Sequence, residues 1–135
     1  MIGVLVVSHS ADAAKGIMDI AVEMSGGARG VLITGIGGDG EGGLGVSVSR
    51  IFGVLADMLS KTDGVVIVPD LGSSVLSARA AVELLDPEDA ARSVIADAPA
   101  LEGAMMAAVE ASIGSDLAAV AECAIEARNL RKNDR

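Results

Sequence analysis

The only histidine of the chain, His9, stands directly after an apolar run at 2–7, inside the tripeptide Ser8-His9-Ser10. An unperturbed histidine titrates near ~6.5, so at pH 7 about three quarters of such rings are neutral and carry a lone pair. A neutral imidazole can attack phosphorus with one nitrogen. A carboxylate on the other nitrogen fixes the tautomer and stabilises the positive charge the ring gains on bonding. Asp70 closes another apolar run, 64–69, and reaches that place if the two runs are neighbouring strands. Ser8, Ser10, Ser73 and Ser74 add hydroxyls close by, and Gly72 opens a helical pattern. Backbone N–H groups at the starts of helices after Ser10 and after Gly72 would hold phosphoryl oxygens without an added cation. Phosphoryl transfer asks a protein mainly for positioning and charge stabilisation, and these residues suffice for it. His9 and Asp70 are therefore the candidate catalytic pair, with Ser8, Ser10, Gly72, Ser73 and Ser74 as candidate phosphoryl-stabilising positions. Each also has a plain structural use, since strand-end histidines serve as hydrogen-bonded linkers and serine or aspartate as helix caps.

Other chemistries find fewer of their parts. The segment "GIGGDGEGGLG" at 35–45 holds seven glycines in eleven residues, so its match to G-x-G-x-x-G at Gly35, Gly37 and Gly40 carries little weight. It follows the second strand pattern rather than the first, and the acidic residue about 20 positions on, Asp57, falls within a helical pattern, which argues against a dinucleotide site. No G-x-x-x-x-G-K-[ST] occurs, and no G-x-S-x-G nucleophile elbow. One histidine and one cysteine make no zinc constellation. No resident cofactor or metal is expected.

The elements that must position these residues follow from apolar patterning. Runs at 2–7, 30–35 and 64–70 are rich in β-branched residues and read as strands buried on both faces. Helical periods lie between them: 12–24, with Ile17, Ile20, Ala21 and Met24 on one stripe, and 45–60, with Val48, Ile51, Phe52, Leu55 and Leu59 on another. A third helix fits 73–86, and "ARSVIADAP" holds a short fourth strand ended by Pro99. Helices at 101–113 and 116–131 follow, with Gly114 stopping one and Ser115 capping the next. Alternating strands and helices with short connections predict an α/β fold with an open, mostly parallel sheet and helices on both faces. In such sheets ligands bind beyond the carboxyl ends of the strands, where strand order reverses. That edge collects His9, Asp70, the four serines and the glycine loop.

A chain of 135 residues suits one domain, spanning 1–135. The net charge of −9 repels phosphate backbones, and the sole aromatic residue, Phe52, offers no stacking platform, so nucleic acid is not an expected partner. Arg128, Arg131, Lys132 and Arg135 cluster near the C-terminus, where cations complement the negative end of a final helix. Cys123 sits in an alanine-rich helical pattern as core filler and has no partner for a disulfide. No apolar segment reaches the ~20 residues needed to span a bilayer, and no basic leader precedes the first strand pattern, so a cytoplasmic protein without membrane contact is expected.

Four segments then become specific when taken in order. "VLVVSHSADAAKGI", "GVSVSRI", "VPDLGSSVLSA" and "APALEGAMMAA" resemble successive motifs of the DhaM family, the EIIA-like phosphotransfer subunits of phosphoenolpyruvate-dependent dihydroxyacetone kinase. The resemblance runs over nearly the whole chain and implies a mannose-type EIIA fold of the phosphotransferase system (PTS), assembled as a homodimer. It implies that His9 accepts a phosphoryl group from phospho-HPr and that Asp70 orients the ring. The group would then pass to ADP held on DhaL, while dihydroxyacetone binds DhaK. Sugar-transporting mannose-type EIIA domains, which pass the group to an EIIB domain, are the alternative within the same fold. Their histidine is typically followed by Gly and their aspartate segment has a Thr-Trp-Gly-Gly character, whereas "SHS" and "DLGSS" stand on the DhaM side. A non-catalytic docking module of the same fold is a third possibility. Val46 departs from the family, which commonly has Thr there. Some DhaM chains continue into HPr-like and enzyme I-like domains, so a sequence ending at Arg135 is expected to draw on a separate HPr.

Overall fold

The computed structural model describes residues 1–133, so Arg135 of the terminal cation cluster lies outside the described residues. Strands β1 (Ile2–Ser8), β2 (Val31–Gly37), β3 (Gly64–Pro69) and β4 (Ser93–Ile95) form one sheet in the order β2-β1-β3-β4. Every pairing is parallel. Helices α1 (Ala11–Met24), α2 (Val48–Leu59), α3 (Gly72–Glu83), the short α4 (Pro87–Ala90), α5 (Ala100–Ser112) and α6 (Leu117–Glu126) connect and cover the strands. A single 3₁₀ turn, Ala127–Asn129, follows α6.

All seven residues of β1 and all six of β3 are buried, which is why both read as unbroken apolar runs rather than alternating ones. Alternation reappears in what each residue touches. Ile2, Val4 and Val6 of β1 join Val66 and Val68 of β3 in a core with the alanines of α5 and α6. Leu5 and Val7 join Val65 and Ile67 in a second core with Ile51, Leu55, Met58 and Leu59 of α2 and Ala78 and Ala81 of α3. The period of two thus sends successive side chains to opposite helical layers. Fully burying a valine or leucine is worth about 1.5–3 kcal/mol, so each buried valine and leucine of the two central strands adds an amount of that order. β2 lies at the sheet edge and is only half-covered along its middle.

Several expectations change in detail. On α1 the buried line runs through Ala14 and Ala21 with Ile17 packed beside it, whereas Ile20 and Met24 are exposed. Alanines let the helix approach the sheet closely, and the larger side chains fall to the flank. Gly114 adopts a φ of 89° after α5, as a glycine stop requires. The cap of α6 is Asp116, whose carboxylate accepts from Ala119 N–H at 2.9 Å, rather than Ser115, which donates to Glu110. A charged acceptor at the helix start wins because it also suits the positive end of the dipole. Arg128 pairs with Asp97 at 3.0 Å and Lys132 with Glu102 at 2.8 Å, so these cations tie the C-terminal segment to other elements instead of complementing the last turn of α6, which holds no basic residue. Cys123 is half-buried rather than in the core. It lines an apolar depression of about 340 Å³ with Met24, Met105, Met106, Val109, Glu110 and Leu130. Burial first, then Glu110 and Glu126, push its thiol pKa up. No helix among the described residues is long and apolar enough to cross a membrane.

Candidate functional site at the carboxyl edge of the sheet

The chain leaves β1 toward β2 on one side and β3 toward β4 on the other, so strand order reverses between β1 and β3. His9 follows the first of these strands and Asp70 the second. Their neighbourhood is fixed by the ladder: Val7 pairs with Pro69, and Asp70 N–H donates to Val7 O at 2.9 Å, carrying the pairing one residue past the strand. Proline is tolerated at the end of β3 because its missing N–H would face the β4 side, where the pairing already ends at Ile67 and Ile95. On the other side of β1, Ser8 pairs with Gly37. A Cβ at Gly37 would lie 2.3 Å from Ser8 O and 2.7 Å from Ser10 O, so only glycine lets β2 seat directly against the His9 turn.

Asp70 is the hub of the site, and its carboxylate serves only as an acceptor. Its Oδ2 receives Ser8 Oγ–H at 2.9 Å and His9 N–H at 3.2 Å. Its Oδ1 receives Ser74 Oγ–H at 2.6 Å and Leu71 N–H at 2.8 Å, with His9 Nδ1 at 3.4 Å. Burial pushes the Asp70 carboxyl pKa up, but the hydrogen bonds from Ser74, Ser8 and His9 outweigh it and hold the group below the usual carboxylate range. A charged carboxylate is therefore kept beside the imidazole. The other ring nitrogen, Nε2, has the exposed hydroxyl of Ser73 at 2.9 Å, and His9 itself keeps about a quarter of its side-chain surface open.

Five of the residues singled out by sequence thus converge: Ser8, His9, Asp70, Ser73 and Ser74. Gly72 is the first residue of α3, which starts after Leu71 with no side-chain cap. First-turn N–H groups have no intrahelical acceptors. The hydroxyl of Ser10 goes elsewhere: it accepts from Ala13 N–H at 3.1 Å as the cap of α1, while its own N–H donates to Ser8 Oγ.

The glycine segment folds around Asp39, whose Oδ1 accepts from Glu41 N–H at 2.7 Å and Gly43 N–H at 2.9 Å. Those two backbone bonds lower the Asp39 pKa. Gly38, Gly40 and Gly42 have φ of 81–87°, angles at which glycine costs least. The segment is tied to the site by Gly45 N–H, which donates to His9 O at 2.8 Å. Val46, which departs from the pattern the resemblance implies, lies half-buried against the second core.

Arg50 was not among the residues marked by sequence. Its guanidinium donates to Gly37 O at 3.3 Å and lines, with Ser10, Asp12 and the glycine segment, a cleft of about 420 Å³. The signal was present in its position. A cation in the first turn of α2 opposes the helix dipole, so a use outside the helix was to be sought for it.

A parallel α/β sheet with a histidine and a carboxylate at its switch point defines the class, and comparison with known proteins gives it a family. The sequence model of EIIA-man, described as "PTS system fructose IIA component", matches residues 3–121. The chain belongs to this EIIA-man family, and within it to the DhaM subunits. The "PEP-dependent dihydroxyacetone kinase 2, phosphoryl donor subunit DhaM" of Listeria innocua serovar 6a is 38% identical, over 89% of this chain and 94% of that protein. The DhaM of Escherichia coli (strain K12) is 32% identical over 87% of this chain, which spans only 25% of that longer protein. Among solved structures, one titled "unknown function protein EF1359" superposes with a TM-score of 0.84 at 30% identity, covering 99% of this chain and 98% of that one. The PTS component EIIA of Streptococcus agalactiae shares the fold, with a TM-score of 0.69 at 16% identity over 96% of this chain and 93% of that one.

Proposed function

We propose that the chain is the phosphohistidine carrier of a dihydroxyacetone kinase system, with His9 as the residue that carries the group and Asp70 as its orienting carboxylate. The observation that supports this best is the asymmetry of the ring: Nδ1 faces the Asp70 side of the site, while Nε2 faces the exposed Ser73. In this reading the Nε2 lone pair attacks the phosphorus of phospho-HPr. The N–P bond of the donor breaks, its electron pair returns to the donor imidazole, and the positive charge gained by His9 is stabilised by Asp70. In the second transfer a terminal oxygen of ADP on DhaL attacks, the His9 N–P bond breaks, and its electron pair restores the neutral ring. DhaK then receives dihydroxyacetone for phosphorylation.

Three features favour the same outcome. The first-turn N–H groups of α3 are free of a side-chain cap and sit beside the ring, where phosphoryl oxygens on Nε2 could accept from them. The hydroxyl of Ser73 lies where it can turn from the Nε2 lone pair to a phosphoryl oxygen. The relatives that this chain resembles at 38% and 32% identity are phosphoryl donor subunits by name. The carrier needs no resident cofactor, because the histidine itself holds the group. It works in the cytoplasm, where phosphoenolpyruvate and nucleotides are at hand, and pairs as a homodimer as its family resemblance implies.

Intact-mass spectrometry at neutral pH after incubation with phosphoenolpyruvate, enzyme I and HPr tests the proposal. Wild type is expected to gain one acid-labile phosphoryl group and to lose it to DhaL loaded with ADP, while His9→Gln gains none. Phosphorylation of the His9→Gln variant would sink the assignment.

A further inference from the structure

Ser74 was grouped by sequence with the residues that would hold a phosphoryl group, but its surroundings point to another task. Its side chain is fully buried, at 0% exposure, on the Nδ1 side of His9 and away from the exposed Ser73. Its Oγ lies 2.6 Å from Asp70 Oδ1 and 3.0 Å from His9 Nδ1. A hydroxyl has one proton, and an ionised carboxylate can only accept. The Ser74 proton therefore goes to Asp70, and what Ser74 presents to the ring is a lone pair. Nδ1 must then carry the ring hydrogen. The direct approach of Nδ1 to Asp70 Oδ1 is 3.4 Å, longer than a normal N–H···O bond, so Ser74 is the nearer acceptor of the two.

We infer that Ser74 is a positioning residue: it links the Asp70 carboxylate to His9 Nδ1 and holds the imidazole in the tautomer that leaves the Nε2 lone pair available. Free histidine in water prefers the opposite tautomer, with hydrogen on Nε2, so the protein must supply this bias. Hydrogen bonds in series polarise one another, and a chain ending on a charged carboxylate is the strong kind. Ser74 is placed for this by being the third residue of α3, whose start is set by Asp70 through its bond from Leu71 N–H. The functional consequence rests on the reading of His9 as phosphoryl acceptor; the tautomer does not.

The test is long-range proton–nitrogen correlation NMR of the protein labelled at histidine nitrogen, taken at a pH where the ring is neutral, together with the rate of phosphorylation by phospho-HPr. Wild type and Ser73→Ala are expected to show hydrogen on Nδ1. Ser74→Ala is expected to shift the population toward Nε2–H and to slow phosphorylation about 3- to 10-fold, the loss of one net hydrogen bond. Hydrogen on Nε2 in wild type overturns the inference with no variant needed. So does a folded Ser74→Ala protein with unchanged tautomer and rate, which would leave Asp70 as sole orienting group. A shifted tautomer in a protein that HPr never phosphorylates would uphold the role of Ser74 and defeat the carrier reading instead.

Discussion

Helices α1 and α3 start at the same edge of the sheet, one just after His9 and the other just after Asp70, yet they spend their serines in opposite ways. At α1 the hydroxyl of Ser10 caps the helix by accepting from Ala13 N–H, and the first turn is closed locally. At α3 the cap position is Leu71, which has no side-chain acceptor, and the two serines of the first turn both reach His9. One helix start serves the fold and the other the site. A side-chain cap is worth about 1 kcal/mol, so α3 forgoes a stabilisation that α1 takes. An uncapped helix start beside the ring proposed to accept the phosphoryl group keeps N–H donors in reserve, as that reading requires.

The largest effect expected from breaking this arrangement comes from Asp70→Asn. The carboxylate accepts from Ser8, His9 N–H, Ser74 and Leu71, and an amide can accept at only one of its two ends. Its NH₂ group would face donors whichever way it turned. Phosphorylation of His9 is expected to fall roughly 10²- to 10³-fold, the usual scale for removing one preorganised charge partner. Unfolding free energy should drop by about 1–3 kcal/mol as well, because donors at a partly buried site lose their acceptor. Stopped-flow transfer from phospho-HPr and urea titration measure the two losses; a variant with wild-type transfer would mean that Asp70 holds the α3 side of the site together and nothing more.

Ser10→Ala probes the opposite helix start and should give the mirror result. Loss of the α1 cap is expected to cost about 1 kcal/mol, seen as a fall of roughly 2–6 °C in Tm. The rate of phosphorylation should stay within about twofold of wild type, since the Ser10 hydroxyl does not reach the ring and an energy of RT ln 2 lies well below one hydrogen bond. A large loss of transfer with little loss of stability would place Ser10 in the site and dissolve the contrast between the two helices.

That contrast marks where the sequence stopped being legible. The parallel sheet and the helices on both faces followed from continuous apolar runs such as 2–7 and 64–69, which burial on both faces produces, whereas the meeting of His9 with Asp70 was legible only if those two strands were neighbours. The order β2-β1-β3-β4 was needed to make the two strand ends adjacent, and patterning supplied it only as a condition. The serines were harder. Ser10 and Ser74 are each a small hydroxyl within a helix start, and whether such a group turns to its own backbone or to a neighbouring loop is set by tertiary contacts that no local spacing encodes. Ser115 failed as a cap for a related reason, since Asp116 offers the stronger acceptor one residue later. Ile20 and Met24 were misplaced because a helical period identifies a stripe but not its centre, and the close approach allowed by Ala14 and Ala21 moved that centre. Arg50 was legible and overlooked: an unfavourable charge at a helix start is itself information.

The smallest effect expected is on the acid side of the stability curve, and it separates the hub from the helices it joins. The Asp70 pKa is held below the ordinary carboxylate range in the folded protein, so at low pH the unfolded chain binds a proton there more readily than the folded one. Stability from this group is thus fully present above the unfolded value near ~3.9 and is lost as pH falls through the lower folded value. Because burial opposes the hydrogen bonds, the net contribution is what remains of two larger opposed effects. Urea unfolding followed from neutral pH down through the carboxylate range should show a shallower acid slope in Asp70→Asn than in wild type. Ser10→Ala should lower the whole curve without changing that slope, because its cap involves no titrating group. If the acid slope were the same in all three proteins, the four donors around Asp70 would not be favouring its charged form, and the account of why a carboxylate is kept ionised beside His9 would have to be given up.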